Sequence, residues 1–561
     1  MAIEPIPSRL TQERIAACQA AGYWRDEVLG DLLEAQAQQR PDAIAVVDGL
    51  RRVTWAELYR LSRRLALHLW EMGLRPGDVV VLQLPNWVEY LVSYHAIQLL
   101  GAVVCQPGVD WRAQEVEYAL SLGPARAAII PAEVRSFDFP AMMAELRSGA
   151  PQLEHVLVVR GTAPEGCISL DALLSDSIED RYDGEVLRRC RRGANEVSRL
   201  VFTSGTTGPP KAIMHTNNTT RFSSRVAVQT FGLNSNDVFF AYVPMSANFG
   251  AMLGIYMPIE VGATVVLTDR FSGALELIER ERVTYLPGTP TAFIAMMNSP
   301  DFDQRDLSSL KLTMSAGANC PVEVIREARS RFSGMFIEAF GMNEFGMGMW
   351  TWPEDDPAEV DGSVGRPFQG VEARVADDEG HQVAVNQPGE LLVRHAGMCV
   401  GYHRNPEANA ESWDEDGWFH SGDVAAMDSK GNIRIVGRKK DIIIRGGANI
   451  SPFEVEEAIT PHPKVREVSV IGLPDPYYGE VVCACVIPNP GEEPTLEELK
   501  DFLKPRIAYY KLPTRLVLRQ EFPLNSMGKV VKRALRQQVL ESLAAGTITD
   551  HAGRRLRRCQ G

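Results

Sequence analysis

The stretch Val201-Phe-Thr-Ser-Gly-Thr-Thr-Gly-Pro-Pro-Lys211 ends an apolar run in a loop of hydroxyls and glycines that closes on a lysine. That composition suits a phosphate cradle. The hydroxyls of Thr203, Ser204, Thr206 and Thr207, with exposed backbone N–H groups, can donate to phosphate oxygens. Gly205 and Gly208 permit close backbone approach, and Lys211 adds a point charge. The spacing is not the nucleotide-binding Gly-x-x-x-x-Gly-Lys-[Ser/Thr], because two residues separate Gly208 from Lys211 and no hydroxyl follows the lysine. An ordinary P-loop ATPase is disfavoured. A flexible Ser/Thr/Gly loop is the alternative reading of the stretch taken by itself.

The elements around the loop read as alternating strands and helices. Leu200 to Phe202 and Ala212 to Met214 flank it as strands, with Thr216 capping a helix beyond. Upstream, Thr54-Trp-Ala-Glu57 opens a helix in which Thr54 caps and Glu57 reaches back. Val79 to Leu84 is a buried strand, and Asn86-Trp-Val-Glu89 opens a helix that places Val88, Leu91, Val92, Ala96, Leu99 and Leu100 on one apolar face. Strand signals recur at 263–267, 283–286 and 312–315. This pattern predicts α/β layers with mostly parallel strands, and ligands in such sheets sit beyond the strands' carboxyl ends. Gly389-Glu-Leu-Leu-Val393 reads as a compact β segment, and Gly437-Arg-Lys-Lys-Asp441 marks a boundary. Beyond it, Ser451-Pro-Phe-Glu454 is a helix start, and strands at 468–471 and 481–487 with a helix opened by Thr495 complete a small domain.

With 561 residues the chain exceeds one ordinary domain. Its 58 basic and 72 acidic residues give a net charge of −14, which argues against a nucleic-acid partner. Residues 1–10 lack the apolar core of a signal peptide. The most apolar stretches are interrupted by polar residues short of the ~20 needed to span a bilayer, so a soluble cytoplasmic protein is expected. Nine cysteines lie scattered without Cys-x-x-Cys pairs, and Cys483 and Cys485 share one face of a strand. Reduced core thiols are expected rather than a zinc site, and no histidines fall at metal-ligand spacing.

Thr203 to Lys211 resembles the signature loop of the adenylate-forming superfamily, which comprises acyl- and aryl-CoA synthetases, aryl-acid adenylating enzymes, peptide-synthetase adenylation domains and beetle luciferases. Further matches follow in that family's order over nearly the whole chain. The resemblance implies a large N-terminal adenylation domain, layered sheets with helices plus a small β subdomain, over residues 1–439. A small mobile α+β lid follows over 440–561, hinged near Lys440. Phe340-Gly-Met-Asn-Glu344 resembles the family's Tyr-Gly-x-Thr-Glu motif: it implies that Phe340 and Gly341 border adenine and that Glu344 helps hold magnesium, an ion that oxygen ligands suit. Asn343 replaces the threonine that contacts the α-phosphate, which predicts slowed adenylation. Ser315-Ala-Gly-Ala-Asn-Cys-Pro321 resembles the family's small-residue adenine wall, with Gly317 and Ala318 leaving room for the base. Asp423 and Arg438 resemble the pair that binds the ribose hydroxyls, and Lys529 resembles the catalytic lysine of the small domain. Lys211, Glu344 and Lys529 are thus the catalytic set.

The resemblance also implies two half-reactions, with ATP, Mg2+ and coenzyme A as reactants and cofactors. The small domain rotates about Lys440 between them and brings Gly446 and Gly447 to the thiol channel. The acid pocket is expected at Ala247, Asn248, Phe249, Met342 and Met347. Ala247 stands where a histidine or another aromatic is usual. Asn248 and the Gly22-Tyr-Trp24 opening resemble aryl-acid-activating members, in which an asparagine reads a ring substituent, so a cyclic or aromatic carboxylate is favoured over a long linear fatty acid. The partners expected are a small carboxylic acid and CoA, with a carrier protein as the alternative acceptor and no membrane. No oligomeric state is specified, a homodimer being one option. A ligase specialised for thioesterifying a supplied acyl-adenylate, a nucleotide-binding protein without catalysis, and a luciferase-like oxygenase are the other readings.

Overall fold

The computed structural model describes residues 3–123, 125–182, 184–203, 210–318, 320–525 and 529–545. A large N-terminal domain carries three main sheets and a small C-terminal domain carries one more. The nine-stranded sheet runs in space from Arg366–Pro367 through Gly346–Trp350, Met335–Met342, Leu312–Ala316, Tyr285–Gly288, Val238–Ala241, Thr264–Leu267 and Ile44–Val47 to Arg52–Thr54. The seven-stranded sheet runs from Ala212–Thr216 through Val197–Phe202, Val103–Cys105, Val79–Leu82, Ala125–Pro131 and His155–Val159 to Ile168–Ser169. Both are parallel at the centre and antiparallel at an edge, as the alternating strand and helix signals predict.

The end of the strand Val197–Phe202 shows why Leu200 to Phe202 read as a continuous apolar run. Both its faces are covered, Val201 in one core and Leu200 and Phe202 in another, so alternation is lost. The helix Val88–Leu99 differs from its predicted form. Ten of its residues are buried, on all sides rather than on one apolar face. Asn86 does not cap it. Its side chain instead donates to the carbonyls of Ala241 (3.2 Å) and Val243 (2.9 Å) and so ties this helix to the nine-stranded sheet. The caps predicted at Thr54, Thr216, Ser451 and Thr495 all accept backbone N–H groups in the first turn.

A four-stranded antiparallel sheet, Val371–Ala376, Gly389–His395, Phe419–Met427 and Ile433–Arg438, forms the β subdomain. The C-terminal domain has a five-stranded sheet that includes Val465–Asp475 and Gly479–Pro488, with its own cores on the two faces. Cys483 and Cys485 lie together in one of them as apolar thiols. No helix among the described residues is long and apolar enough to cross a membrane.

Candidate active site

The strands Val197–Phe202 and Ala212–Thr216 pair antiparallel, so the hydroxyl-rich segment between them returns on itself. Thr203 N–H donates to the Lys211 carbonyl (3.1 Å), and Lys211 N–H donates to Thr203 Oγ1 (3.0 Å). Ser204, Gly205, Thr206, Thr207 and Gly208 lie outside the described residues. The neck of the loop thus aims Lys211 across the sheet edge, where its Nζ stands 4.8 Å from the centroid of the Tyr402 ring. Tyr402 donates to Glu344 Oε1 (2.9 Å). Glu344 is buried, and burial pushes its carboxyl up while the Tyr402 hydroxyl, Lys211 and Arg438 oppose that rise. An acceptor-only carboxylate with one oxygen engaged suits a hard cation such as Mg2+.

Glu344 is held by its own hairpin. Gly341 permits that hairpin to close, because a Cβ there would lie 2.0 Å from the Gly346 carbonyl oxygen. The Glu344 carbonyl accepts from Cys399 N–H (2.7 Å), which brings the segment carrying Tyr402 alongside. Asn343 behaves differently from its expected role. Its Nδ2 donates to the Phe202 carbonyl (3.0 Å), and its Oδ1 accepts from Asn248 N–H (3.1 Å). Its own carbonyl accepts from Asn248 Nδ2 (3.1 Å) and from His215 Nε2 (2.8 Å), the latter a neutral imidazole pushed down to about 3 by burial. Asn343 is therefore a clasp joining the strand that leads into the phosphate loop, the motif hairpin and the segment at Asn248, which gives it its backbone N–H and one side-chain N–H. Asn343→Thr is accordingly expected to lose about 1–3 kcal/mol of stability, through the partners it leaves unpaired, and to gain no adenylation rate. Chemical denaturation beside pyrophosphate-release kinetics checks this; a faster variant of unchanged stability contradicts it.

Asp423 and Arg438 occupy paired positions on adjacent strands of the β subdomain and meet at 2.9 Å. Asp423 is 2% exposed, and its Oδ2 is buried without a hydrogen-bond partner among the described residues. A buried carboxylate oxygen in that condition carries a large cost unless a ligand donates to it, and a vicinal diol would. Burial pushes the Asp423 carboxyl up, with Arg438 and then Lys529 opposing. Lys529 comes from the C-terminal domain. A Cβ on Gly317, whose φ is +90°, would lie 3.7 Å from Lys529 Cε and 3.7 Å from Thr289 Cγ2. Burial, with Arg438 adding to it, pushes the Lys529 ammonium down to about 8. Lys440 feels Arg438, Asp423 and Lys211 in turn. Four cations, Lys211, Arg438, Lys440 and Lys529, thus surround two buried carboxylates, Glu344 and Asp423. That surplus of positive charge fits a polyphosphate.

The remaining predicted residues divide into two groups. Phe340 lies half-buried at the end of its strand, 6.3 Å from Phe345 between ring centroids, and Ala318 is exposed beyond Gly317. Met342 pairs with Gly346 and Met347 with Gly341 across the hairpin, and Gly346 in turn faces the Asn248 amide. Ala247 and Phe249 flank Asn248 at the start of the helix Asn248–Ala251. Gly446 and Gly447, with φ of +57° and +86°, belong to the C-terminal sheet's hairpin 443–450, with Gly446 beside Tyr478. Sequence reasoning missed Tyr402, His215 and Thr289. Tyr402 follows Gly401 and His215 lies one residue before the end of the strand after the loop, but neither is marked by a spacing that names its partner.

These features define an α/β protein of a large and a small domain, with a cation-rich cluster to which both contribute. The chain belongs to the adenylate-forming superfamily of acyl- and aryl-CoA synthetases: residues 33–403 match the AMP-binding enzyme family and residues 454–529 match the AMP-binding enzyme C-terminal domain. It is 31% identical to a medium-chain fatty-acid–CoA ligase of Escherichia coli over 95% of this chain and 94% of that one. It is 33% identical to the 2-hydroxy-7-methoxy-5-methyl-1-naphthoate–CoA ligase of Streptomyces carzinostaticus over 95% of each. A crystal structure of the anthranilate CoA ligase AuaEII with anthranoyl-AMP superposes with a TM-score of 0.83 at 27% identity, over 92% of this chain and 98% of that one.

Proposed function

We propose that the protein is an ATP-dependent carboxylic acid–CoA ligase acting on a cyclic, aromatic or otherwise bulky acid. The observation that carries this is Lys529, a small-domain residue standing beside Gly317 and acting on Asp423 of the large domain. In the first half-reaction an oxygen of the substrate carboxylate attacks the α-phosphorus of ATP and pyrophosphate leaves. Both reactants are anions, so the chain's work is positioning and charge compensation. Asp423 and Arg438 hold the ribose, Gly317 and Phe340 border the base, Lys211 and the loop hydroxyls hold phosphate, and Lys529 bridges the meeting oxygens. Glu344 would hold Mg2+, which offsets charge on the phosphates.

In the second half-reaction the CoA sulfur attacks the acyl carbon and AMP leaves. The small domain, taken to begin at Lys440, rotates to remove Lys529 and present Gly446–Gly447. In support, exposed aromatic residues collect around that hairpin: Tyr477 is 84% and Tyr509 82% exposed, with Ile444, Tyr478 and Tyr510 beside them. Backbone at positive φ without side chains suits a narrow thiol channel. The naphthoate and anthranilate substrates of two relatives favour a ring acid, whereas the E. coli relative takes a medium-chain fatty acid. ATP and CoA are cytoplasmic reactants, which is where we place the enzyme.

Pyrophosphate release should be measured over aromatic, alicyclic and aliphatic acids, with and without CoA, with products identified by mass. An acyl-CoA from a ring acid is expected. Acyl-AMP alone would transfer the second step to a carrier protein, and exclusive use of linear acids would overturn the substrate class.

A further inference from the structure

Arg199 lies on the strand that leads into the phosphate loop, and it is fully buried. Its Nη1 reaches only the Tyr256 hydroxyl, at 3.4 Å, and its Nε and Nη2 have no hydrogen-bond partner among the described residues. A guanidinium stays charged in a protein interior, and a buried charge without a counter-charge is strongly unfavourable. The Tyr256 ring faces the guanidinium at 5.6 Å and the tyrosines around it favour its charge, but among the described residues none of them brings a carboxylate. Tyr256 bonds to Tyr94, whose hydroxyl is pushed up by burial, as is that of Tyr90. His215, the cross-strand partner of Arg199, stays neutral. The two carboxylates on the helices packed here are already spent: Glu89 binds Arg51 and Arg160, and Glu260 binds Arg221 at 2.7 Å. Gln106 follows the adjacent strand, and its Oε1 is likewise buried without a partner.

This cluster adjoins the residues at which the acid pocket is expected. His215 links Arg199 to the Asn343 carbonyl, Gln106 Nε2 donates to the Met245 carbonyl (3.1 Å) just before Ala247, and Tyr256 ends the segment Met252–Tyr256, a π-helical turn continuing the helix from Asn248. Such turns cluster at functional sites. We propose that Arg199, with Tyr256 and Gln106, forms a subsite for a second anionic group on the acid, so that the substrate is a dicarboxylate or a similarly doubly anionic acid with one carboxylate activated and the other paired to Arg199. Water could solvate the guanidinium but brings no charge; the acid's distal carboxylate brings both. The inference rests on the ligase reading proposed above and on the acid pocket lying at Ala247, Asn248 and Phe249.

The test uses matched pairs, hexanoate against adipate and benzoate against terephthalate, with the wild-type chain, Arg199→Met and Arg199→Lys. Pyrophosphate release should favour the dicarboxylate in each pair. Arg199→Met should reduce that preference by about 30-fold or more, and Arg199→Lys should restore part of it. A wild-type preference for the monocarboxylates, or a preference unaltered in both variants, overturns the subsite. Should Arg199→Met fail to fold, Tyr256→Phe and Arg199→Lys carry the comparison. The unfolding midpoint is read in parallel with adipate and terephthalate. If no acid releases pyrophosphate but the dicarboxylates still raise the midpoint of the wild type and not of Arg199→Met, the ligase reading fails and the subsite stands.

Discussion

Lys529→Ala is expected to slow formation of the acyl-adenylate by about 10²–10³-fold or more, the scale seen when a preorganised charge is removed from a developing anion, while thioesterification of a chemically supplied acyl-AMP continues near the wild-type rate. The reason is geometric. Lys529 reaches the cleft from the small domain, beside Gly317 and within the influence of Asp423 and Arg438, and it would leave with that domain before the thiol arrives. The pH dependence gives a second check. Burial and the neighbouring Arg438 bring the Lys529 ammonium down to about 8, so a rise in pH through that value removes the charge that bridges the two anions. The kcat/KM for ATP, which reports the free enzyme, should therefore fall with an apparent pKa near 8. Lys529→Arg should keep residual adenylation and lose that alkaline limb. Equal loss of both half-reactions in Lys529→Ala would contradict the assigned role.

Asp423→Asn should raise the KM for ATP by about 10²-fold, because hydrogen bonds to a charged acceptor contribute ~1.5–3 kcal/mol each and the carboxylate has one buried oxygen awaiting donors. The decisive comparison is with 2′,3′-dideoxy-ATP. If Asp423 holds the ribose diol, the wild type loses roughly as much on the dideoxy nucleotide as the variant loses on ATP, and the two losses do not add. Additive losses would show that Asp423 acts on the site through Arg438 and Lys529 alone. A general collapse is checked by the unfolding midpoint, since removing one member of a buried pair is itself destabilising.

Much of the site is legible in the chain because its parts are local. A loop of hydroxyls and glycines between two strands can be read residue by residue, as can a proline-led helix start after Ser451 or a capping threonine at position 54. The errors share one cause. Asn86 looks like a helix cap, since polar residues at such places usually serve local backbone, and the internal hydrogen bonds of Asn343 have no signal in its motif. Both instead join segments far apart in sequence, Asn86 to residues 241 and 243 and Asn343 to residues 202 and 248. The helix Val88–Leu99 was legible as a helix, but that it is enclosed on every side depends on which elements surround it.

What the sequence by itself determined is therefore the alternating α/β order with a large and a small domain, since apolar period, caps and turn signals are properties of neighbouring residues; the groups expected to meet ATP were named through short motifs that resemble a family's. Only the tertiary structure decided which charges face one another. Among the described residues it set Tyr402 between Lys211 and Glu344, left one oxygen of Asp423 without a donor and enclosed Arg199 without a carboxylate. Hydrogen bonds and ion pairs act over a few ångströms through space, and the residues that make them here lie tens to hundreds of positions apart along the chain.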